Sequence, residues 1–302
     1  MWFWLSLIAL VCWSGSDIFS KIGCRDAADK YSHLKMVIAV GAVMGLHAAY
    51  EVFAGGAEIS WGVIWAYLPV SLLYILSMTL GYVGLRYIEL SISSPICNSS
   101  GALVAVLCLI TGGPVAVNGW QLGAVALVCA GVIGLGVVES REDEELRSRR
   151  QEASNYRYAK SWLALALPIA YCLLDAAGTF ADSLVLRKLS EDSANVAYEL
   201  TFLAAAVFCF VYVVLIKKGR LVPKLERPKY LGAVCETAGQ FAYIYAIADE
   251  KHVMLAAPII SAYCVASVVW SRLFLKERLS AKHYLMIALV VAGIVVLGVF
   301  DG

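Results

Sequence analysis

Ten stretches of the chain are almost continuously apolar: 2–22, 34–53, 61–85, 93–111, 120–138, 162–186, 194–216, 230–248, 253–275 and 284–300. A helix needs about 17 to 25 such residues to cross a hydrocarbon layer of ~30 Å, and each stretch falls in or close to that range. A barrel strand would instead alternate lipid-facing and lumen-facing residues over about ten positions. Helices and closed barrels are the two architectures that satisfy every backbone polar group in lipid. The pattern therefore predicts an all-α membrane protein with ten transmembrane helices. The first stretch opens on Met1, Trp2, Phe3 and Trp4 with no basic segment before it, so it is read as a span and not as a leader.

Composition agrees with a lipid solvent. Apolar residues make up 61% of the 302 positions and charged ones 16%, against roughly 45–50% and about 25% in soluble domains. The nine cysteines lie mostly inside the apolar stretches, with no CxxC pair and no metal-ligand spacing, and read as small packing residues. No metal or other cofactor is expected. The net charge of +1 says nothing about partners, since its distribution carries the information, and no nucleic-acid footprint is visible.

Charge is concentrated in a few loops. The largest, 139–160, holds six acidic and six basic residues and divides the chain nearly in half. Asp143 with Arg147 and Glu145 with Arg149 stand at i,i+4 spacing, which predicts a short solvated helix there. The loop 217–229 is basic, contains Pro223 and Pro228, and is expected to be irregular. On either side of the central linker the same features recur: Tyr82, Pro95 and Ala130-Gly131-Val132-Ile133 in the first half, Tyr245, Pro258 and Ala292-Gly293-Ile294-Val295 in the second, offset by 162 or 163 residues. Such an offset argues for duplication. Each half has five spans, so the second enters the membrane in the opposite sense. The organisation expected is two inverted five-helix repeats, 1–138 and 161–302, joined by the linker 139–160, with the solute site near the midplane between them.

Loops after the odd-numbered spans, with their helix ends, carry twenty-one of the twenty-four Lys and Arg residues; the opposite side has Arg187, Lys188 and Lys251. The positive-inside rule places the odd-numbered loops in the cytoplasm and both termini outside.

The segment Pro258-Ile-Ile-Ser-Ala-Tyr263, followed by Leu273-Phe-Leu-Lys-Glu-Arg-Leu-Ser280 and Ala292-Gly-Ile-Val-Val-Leu297, resembles the closing signature of EamA-domain proteins of the drug/metabolite transporter superfamily. With the ten spans and the duplication the resemblance covers the whole chain. It implies a transporter fold and leaves the solute open among amino acids, choline-like amines, nucleotide sugars and other metabolites. The first half departs from the pattern, with Thr111-Gly-Gly-Pro-Val-Ala-Val-Asn118 where the Glu-Arg-Leu-Ser turn belongs. The usual family arrangement has both termini in the cytoplasm, opposite to the orientation the loops predict.

Ionisable residues deep inside spans are the most informative, because one at a helix centre costs roughly 2.5–3.5 kcal/mol on insertion scales and so faces a cavity or a partner. Asp175 and Glu236 lie near the middle of the sixth and eighth spans, and Asp17 lies deep in the first, with no Lys or Arg at comparable depth. Helical spacing groups them in stripes: Trp13, Asp17 and Ser20; Tyr171, Asp175 and Thr179, continuing to Asp182; and Glu236, Gln240 and Tyr243. Asn98 and Ser261 follow the two prolines by three residues, and the prolines are expected to start their helices. Candidate substrate-binding or proton-coupling residues are thus Asp17, Asn98, Asp175, Glu236 and Gln240, with the deep aromatics Trp13, Tyr82, Tyr171, Tyr243 and Tyr263.

Plainer roles compete. Asp17 has Lys21 one turn away, Asp182 has Arg187 nearby, and Glu199 reads as a snorkelling residue at a helix start. Tyr67, Tyr230 and Trp162 fit interfacial belts, Gly41 to Gly45 is a GxxxG suited to close helix packing, and Asn98-Ser-Ser100 lies within a span, where a glycosylation signal is unreadable. No HExxH, GxSxG or phosphate-loop pattern points to an enzyme.

The function expected is secondary transport across the cell membrane by alternating access. The favoured solute is a small cationic or zwitterionic amine or amino acid, with protons as a coupling partner that the buried carboxyls could serve. An exchanger of anionic metabolites such as sugar phosphates would call for cavity Lys or Arg. A lipid-directed membrane enzyme and a non-transporting subunit are the other classes. The partners expected are the solute and the lipid bilayer, with the chain a monomer or homodimer.

Overall fold

A computed structural model describes residues 1–24, 26, 29–87, 90–111, 118–140, 163–249, 251–275 and 279–299. Among the described residues there are helices and no strands. In chain order they are α1 (Trp2–Cys24), α2 (Ser32–Tyr50), α3 (Trp61–Tyr87), α4 (Leu90–Cys97), α5 (Ser100–Thr111), α6 (Gly119–Ser140), α7 (Leu163–Val185), α8 (Glu191–Phe210), α9 (Pro223–Ile247), α10 (Val253–Ser261), α11 (Tyr263–Trp270) and α12 (Ala281–Val299). Wider π-type turns extend α2 through Glu51–Gly55, α8 through Val211–Ile216 and α11 through Ser271–Leu275.

Among the described residues each apolar stretch lies largely in helix, and eight helical segments are long and apolar enough to cross a membrane. α7 and α9 fall outside that set: α7 carries Asp175 and Asp182, while α9 opens on Lys224, Glu226, Arg227 and Lys229 and carries Glu236. Trp65, Ile110, Trp120, Phe208 and Phe274 stand exposed on the outside of the bundle. So much apolar surface is stable against lipid and not against water. The chain is a multi-pass membrane protein.

Local chemistry explains where helices start. At α6, Asn118 Oδ1 accepts from the Gln121 amide at 2.8 Å while Gln121 Oε1 accepts from the Asn118 amide at 3.0 Å, a reciprocal capping box. At α12, the Ser280 amide donates to His283 Nδ1 at 3.0 Å, giving one arm of the same box. Ser190 caps α8 by accepting from the Ser193 amide, with Glu191 and Asp192 in the first turn. The loop expected to be irregular through residue 229 ends earlier, because Pro223 takes the first helical position, where its missing N–H is not needed.

The fourth and ninth apolar stretches are each broken in two. The prolines lie inside α4 and α10, ahead of the breaks, and do not start the helices as the sequence suggested. In the first break the Asn98 side chain donates to the Ser94 carbonyl at 2.8 Å and Ser99 Oγ to the Pro95 carbonyl at 3.0 Å. These bonds compete with the regular ladder. At the second, the Ala262 amide is shared between the Pro258 (3.0 Å) and Ile259 (3.1 Å) carbonyls, and the Val265 amide donates to the Ala262 carbonyl (2.9 Å).

α1 lies along α9, α3 along α7, α2 along α8 and α6 along α12; the broken pair α10 and α11 is enclosed against α1, α4 and α5. Glycines set the closest approaches. A Cβ on Gly41 would stand 2.3 Å from the Phe202 carbonyl, so the GxxxG of α2 is a packing face against α8. A Cβ on Gly131 would meet Val290 Cγ2 at 2.4 Å and the Met286 carbonyl at 2.9 Å; one on Gly293 would meet Val128 Cγ2 at 2.7 Å and the Ala124 carbonyl at 2.8 Å.

Two buried charge clusters lie away from the centre. Glu199, expected to snorkel, is fully enclosed on α8: His47 Nδ1 from α2 contacts its Oε1 at 2.8 Å, and Asn195 donates to the same oxygen at 3.3 Å. A partner on the neighbouring helix compensates the burial that snorkelling would have avoided. At another edge, Lys35 pairs with Asp29 (2.9 Å) and Glu226 (3.4 Å), and Glu226 with Lys229 (2.9 Å). Tyr67 is also fully buried, since α3 turns it toward α7; Tyr230 is partly exposed, as an interfacial residue should be. Trp162 and the linker helix expected within 139–160 lie outside the described residues, apart from Glu139 and Ser140 at the end of α6.

Candidate functional site: a carboxylate-lined cavity

A cavity lies at the centre of the bundle. α1, α3, α4, α5, α7, α8, α9, α10 and α11 all contribute to its wall, whereas α2, α6 and α12 do not. All ten candidate residues line it: Trp13, Asp17, Tyr82, Asn98, Tyr171, Asp175, Glu236, Gln240, Tyr243 and Tyr263. No Lys, Arg or His is among the lining residues.

The helix breaks bring serine hydroxyls to the carboxylates. Asp17 Oδ2 on α1 accepts from Ser94 on α4 at 2.6 Å and from Ser267 on α11 at 2.7 Å. It therefore ties α1 to both broken spans, while Lys21, its expected partner, donates to the Leu85 carbonyl at 2.8 Å. Asp175 Oδ2 accepts from Ser100, at the start of α5, at 2.7 Å. Glu236 is held from the other side of its helix turn by Trp13, whose indole N–H donates to its backbone carbonyl at 3.3 Å.

Aromatic rings form the remaining wall. Trp13 lies 5.1 Å from Tyr243 and 5.8 Å from Tyr263, centroid to centroid. Two glycines make room for the rings: a Cβ on Gly239 would stand 2.4 Å from Trp13, and one on Gly81 would stand 3.0 Å from Tyr171. The hydroxyl of Tyr82, Ser20 Oγ and the amide nitrogen of Gln240 are buried with no protein partner.

Several lining residues escaped the sequence reading: Ser16, Ser94 and Ser100, Tyr74, and Tyr198. Serine is common in membrane helices as a packing residue, so nothing in its spacing marks a cavity. Tyr74 carried a signal, as a deep tyrosine in the same span as Tyr82. Asp182, read as a neighbour of Arg187 near the surface, is instead fully buried, and the Tyr67 hydroxyl donates to its Oδ1 at 2.8 Å.

The cavity combines a mostly apolar, aromatic wall with three carboxyl groups inside a bundle of apolar helices. Residues 162–299 match the model of the EamA-like transporter family. That family is one of membrane transporters of the drug/metabolite transporter type. A solved crystal structure superposes with a TM-score of 0.63 over 98% of this chain and 96% of its own, at 14% identity. At that identity the likeness shows the shared fold alone. Comparison with curated proteins yields no relative.

Proposed function

We propose that this chain is a secondary transporter that moves a small cationic or zwitterionic amine, an amino acid included, through the central cavity by alternating access. The observation that carries this reading is the meeting of Asp17, Asp175 and Glu236 in one aromatic-walled cavity with no basic lining residue. An ammonium group pairs with such carboxylates and gains ~0.5–2 kcal/mol from a ring face. The unpartnered Tyr82 hydroxyl and Gln240 amide suit the acceptor end of a zwitterion. A sugar phosphate would be repelled.

The reading includes ten spans in two inverted repeats, 1–138 and 161–302. Contacts made twice with their partners exchanged support it. Gly131 meets Val290 and the Met286 carbonyl as Gly293 meets Val128 and the Ala124 carbonyl, each residue matched at an offset of 162 (293 less 131, 290 less 128, 286 less 124). Trp13 lies on Gly239 as Tyr171 lies on Gly81, at an offset of 158 (171 less 13, 239 less 81). The smaller offset pairs Tyr82 with Gln240 in place of Tyr245. A two-fold axis in the membrane plane lets one sequence adopt two mirror-related tilts, the basis of alternating access.

Orientation remains as the loops argue, with the odd-numbered loops cytoplasmic and both termini outside. Of the twenty-one residues counted, Lys35 and Lys229 are buried in ion pairs; nineteen still oppose three.

The test is flux into liposomes containing this protein alone, with radiolabelled choline, putrescine, leucine and glucose 6-phosphate. Uptake of an amine or amino acid, lost in Glu236→Gln at normal insertion, is the expected result. Uptake of glucose 6-phosphate alone, or amine uptake that Glu236→Gln leaves intact, refutes the assignment.

A further inference from the structure

Asp182 has no part in the cavity wall, yet it is the most enclosed of the membrane carboxyls that neighbour it. It lies two turns beyond Asp175 on α7, at 0% exposure. Tyr67 donates to one of its oxygens at 2.8 Å, and the other oxygen is buried with no hydrogen-bond partner. The titratable groups that face it are the phenols of Tyr67 and Tyr74 from α3 and of Tyr243 from α9, with Asp175 on its own helix. A fully buried ionised carboxylate with one oxygen unpaired costs several kcal/mol. The neutral acid costs far less, about 1–3 kcal/mol for one unmet group.

The Tyr243 side chain comes within hydrogen-bonding reach of the Asp182 carboxyl, as does that of Tyr67. The Tyr74 hydroxyl donates to Thr179 Oγ1 at 3.1 Å and shares a hydrogen bond with the Tyr243 hydroxyl, and these three residues line the cavity. Hydroxyls both donate and accept, so a proton can pass along them as the side chains reorient. The cavity carboxylates differ in place: Asp17, with two serine donors, Asp175, with one, and Glu236 all line the space where a solute sits, and Asp182 does not.

We propose that Asp182 is a separate, occluded proton-binding site of this transporter, linked to the cavity through Tyr74, Thr179 and Tyr243. It rests on the transport reading above and divides the labour: cavity carboxylates meet the solute, and Asp182 holds the coupling proton behind a tyrosine layer. A proton arriving from the cavity forms the O–H bond on the free carboxylate oxygen, and the same bond breaks when the proton returns. The charge at Asp182 changes by one.

Infrared difference spectroscopy of the reconstituted full-length protein between acidic and alkaline pH tests the site with no solute present. Failure here is thus distinct from failure of the flux assay. The wild type should show the carbonyl stretch of a protonated buried carboxyl at acidic pH, and Asp182→Asn should lose it. Tyr67→Phe should keep the band but shift it to higher frequency, because the carbonyl loses its donor; this variant keeps the test valid if Asp182→Asn fails to insert. In Tyr243→Phe, exchange of the acid proton after transfer to heavy water should slow by about tenfold or more. A band that survives Asp182→Asn, a band that Tyr67→Phe leaves unmoved, or the absence of any protonated-carboxyl band in the wild type overturns the site. Unchanged exchange in Tyr243→Phe overturns the route.

Discussion

The α6–α12 crossing allows a sharp test of the packing argument, because one helix carries both a glycine in tight contact and a glycine in open space. Gly131→Ala puts a methyl 2.4 Å from Val290 Cγ2 and 2.9 Å from the Met286 carbonyl, whereas Gly123 has nothing within 4 Å of the same position. Ordinary contact begins near 3.4 Å, so the helices must separate by about 1 Å. Val290 cannot swing aside, since a β-branched side chain in a helix has one strongly preferred rotamer, and a backbone carbonyl cannot move alone. Overpacking of this kind costs about 1–3 kcal/mol. Both substitutions gain the same helix propensity, up to about 1 kcal/mol, so the difference between them isolates the packing term. Apparent melting temperatures in detergent, read from the monodisperse fraction left after heating, should place Gly131→Ala clearly below Gly123→Ala. Gly123→Ala should equal or exceed the wild type. Gly293→Ala should fall by an amount similar to Gly131→Ala, and Val290→Ala should restore part of the loss in Gly131→Ala. Coincident melting of Gly131→Ala and Gly123→Ala would refute the contact; a loss in Gly131→Ala with none in Gly293→Ala would refute the two-fold relation.

Other expectations follow from the buried charges and the loops. His47→Ala strips Glu199 of its closest partner and should lower stability by about 1–3 kcal/mol, with His47→Ala/Glu199→Gln regaining most of it; a double variant no better than the single one contradicts the pairing. Glu236→Gln should insert normally yet lose amine flux, as the liposome assay reads directly. For orientation, Ser148→Cys in a background freed of its nine cysteines should resist an impermeant thiol reagent applied to intact cells. Labelling from outside would reverse the assignment and restore the usual family arrangement.

Much of this protein is legible before folding is considered. Lipid demands long apolar stretches, so the helices and their solvent appear in the sequence directly, and the cost of a mid-span carboxyl singles out Asp17, Asp175 and Glu236. The stripes Trp13–Asp17 and Glu236–Gln240–Tyr243 follow from helical spacing alone, and each does line the cavity. What spacing cannot say is which way a stripe turns. A membrane helix is apolar toward lipid and toward its neighbours alike, so it has no single apolar face to orient it. Hence Tyr67 looked interfacial and is buried, Glu199 looked exposed and is enclosed by His47, and Asp17 chose Ser94 and Ser267 from two distant helices over Lys21 one turn away. Those choices depend on residues brought together across 77 to 250 positions of chain. Tertiary packing alone set them, because a buried polar group takes whichever partner the neighbouring helices place within reach.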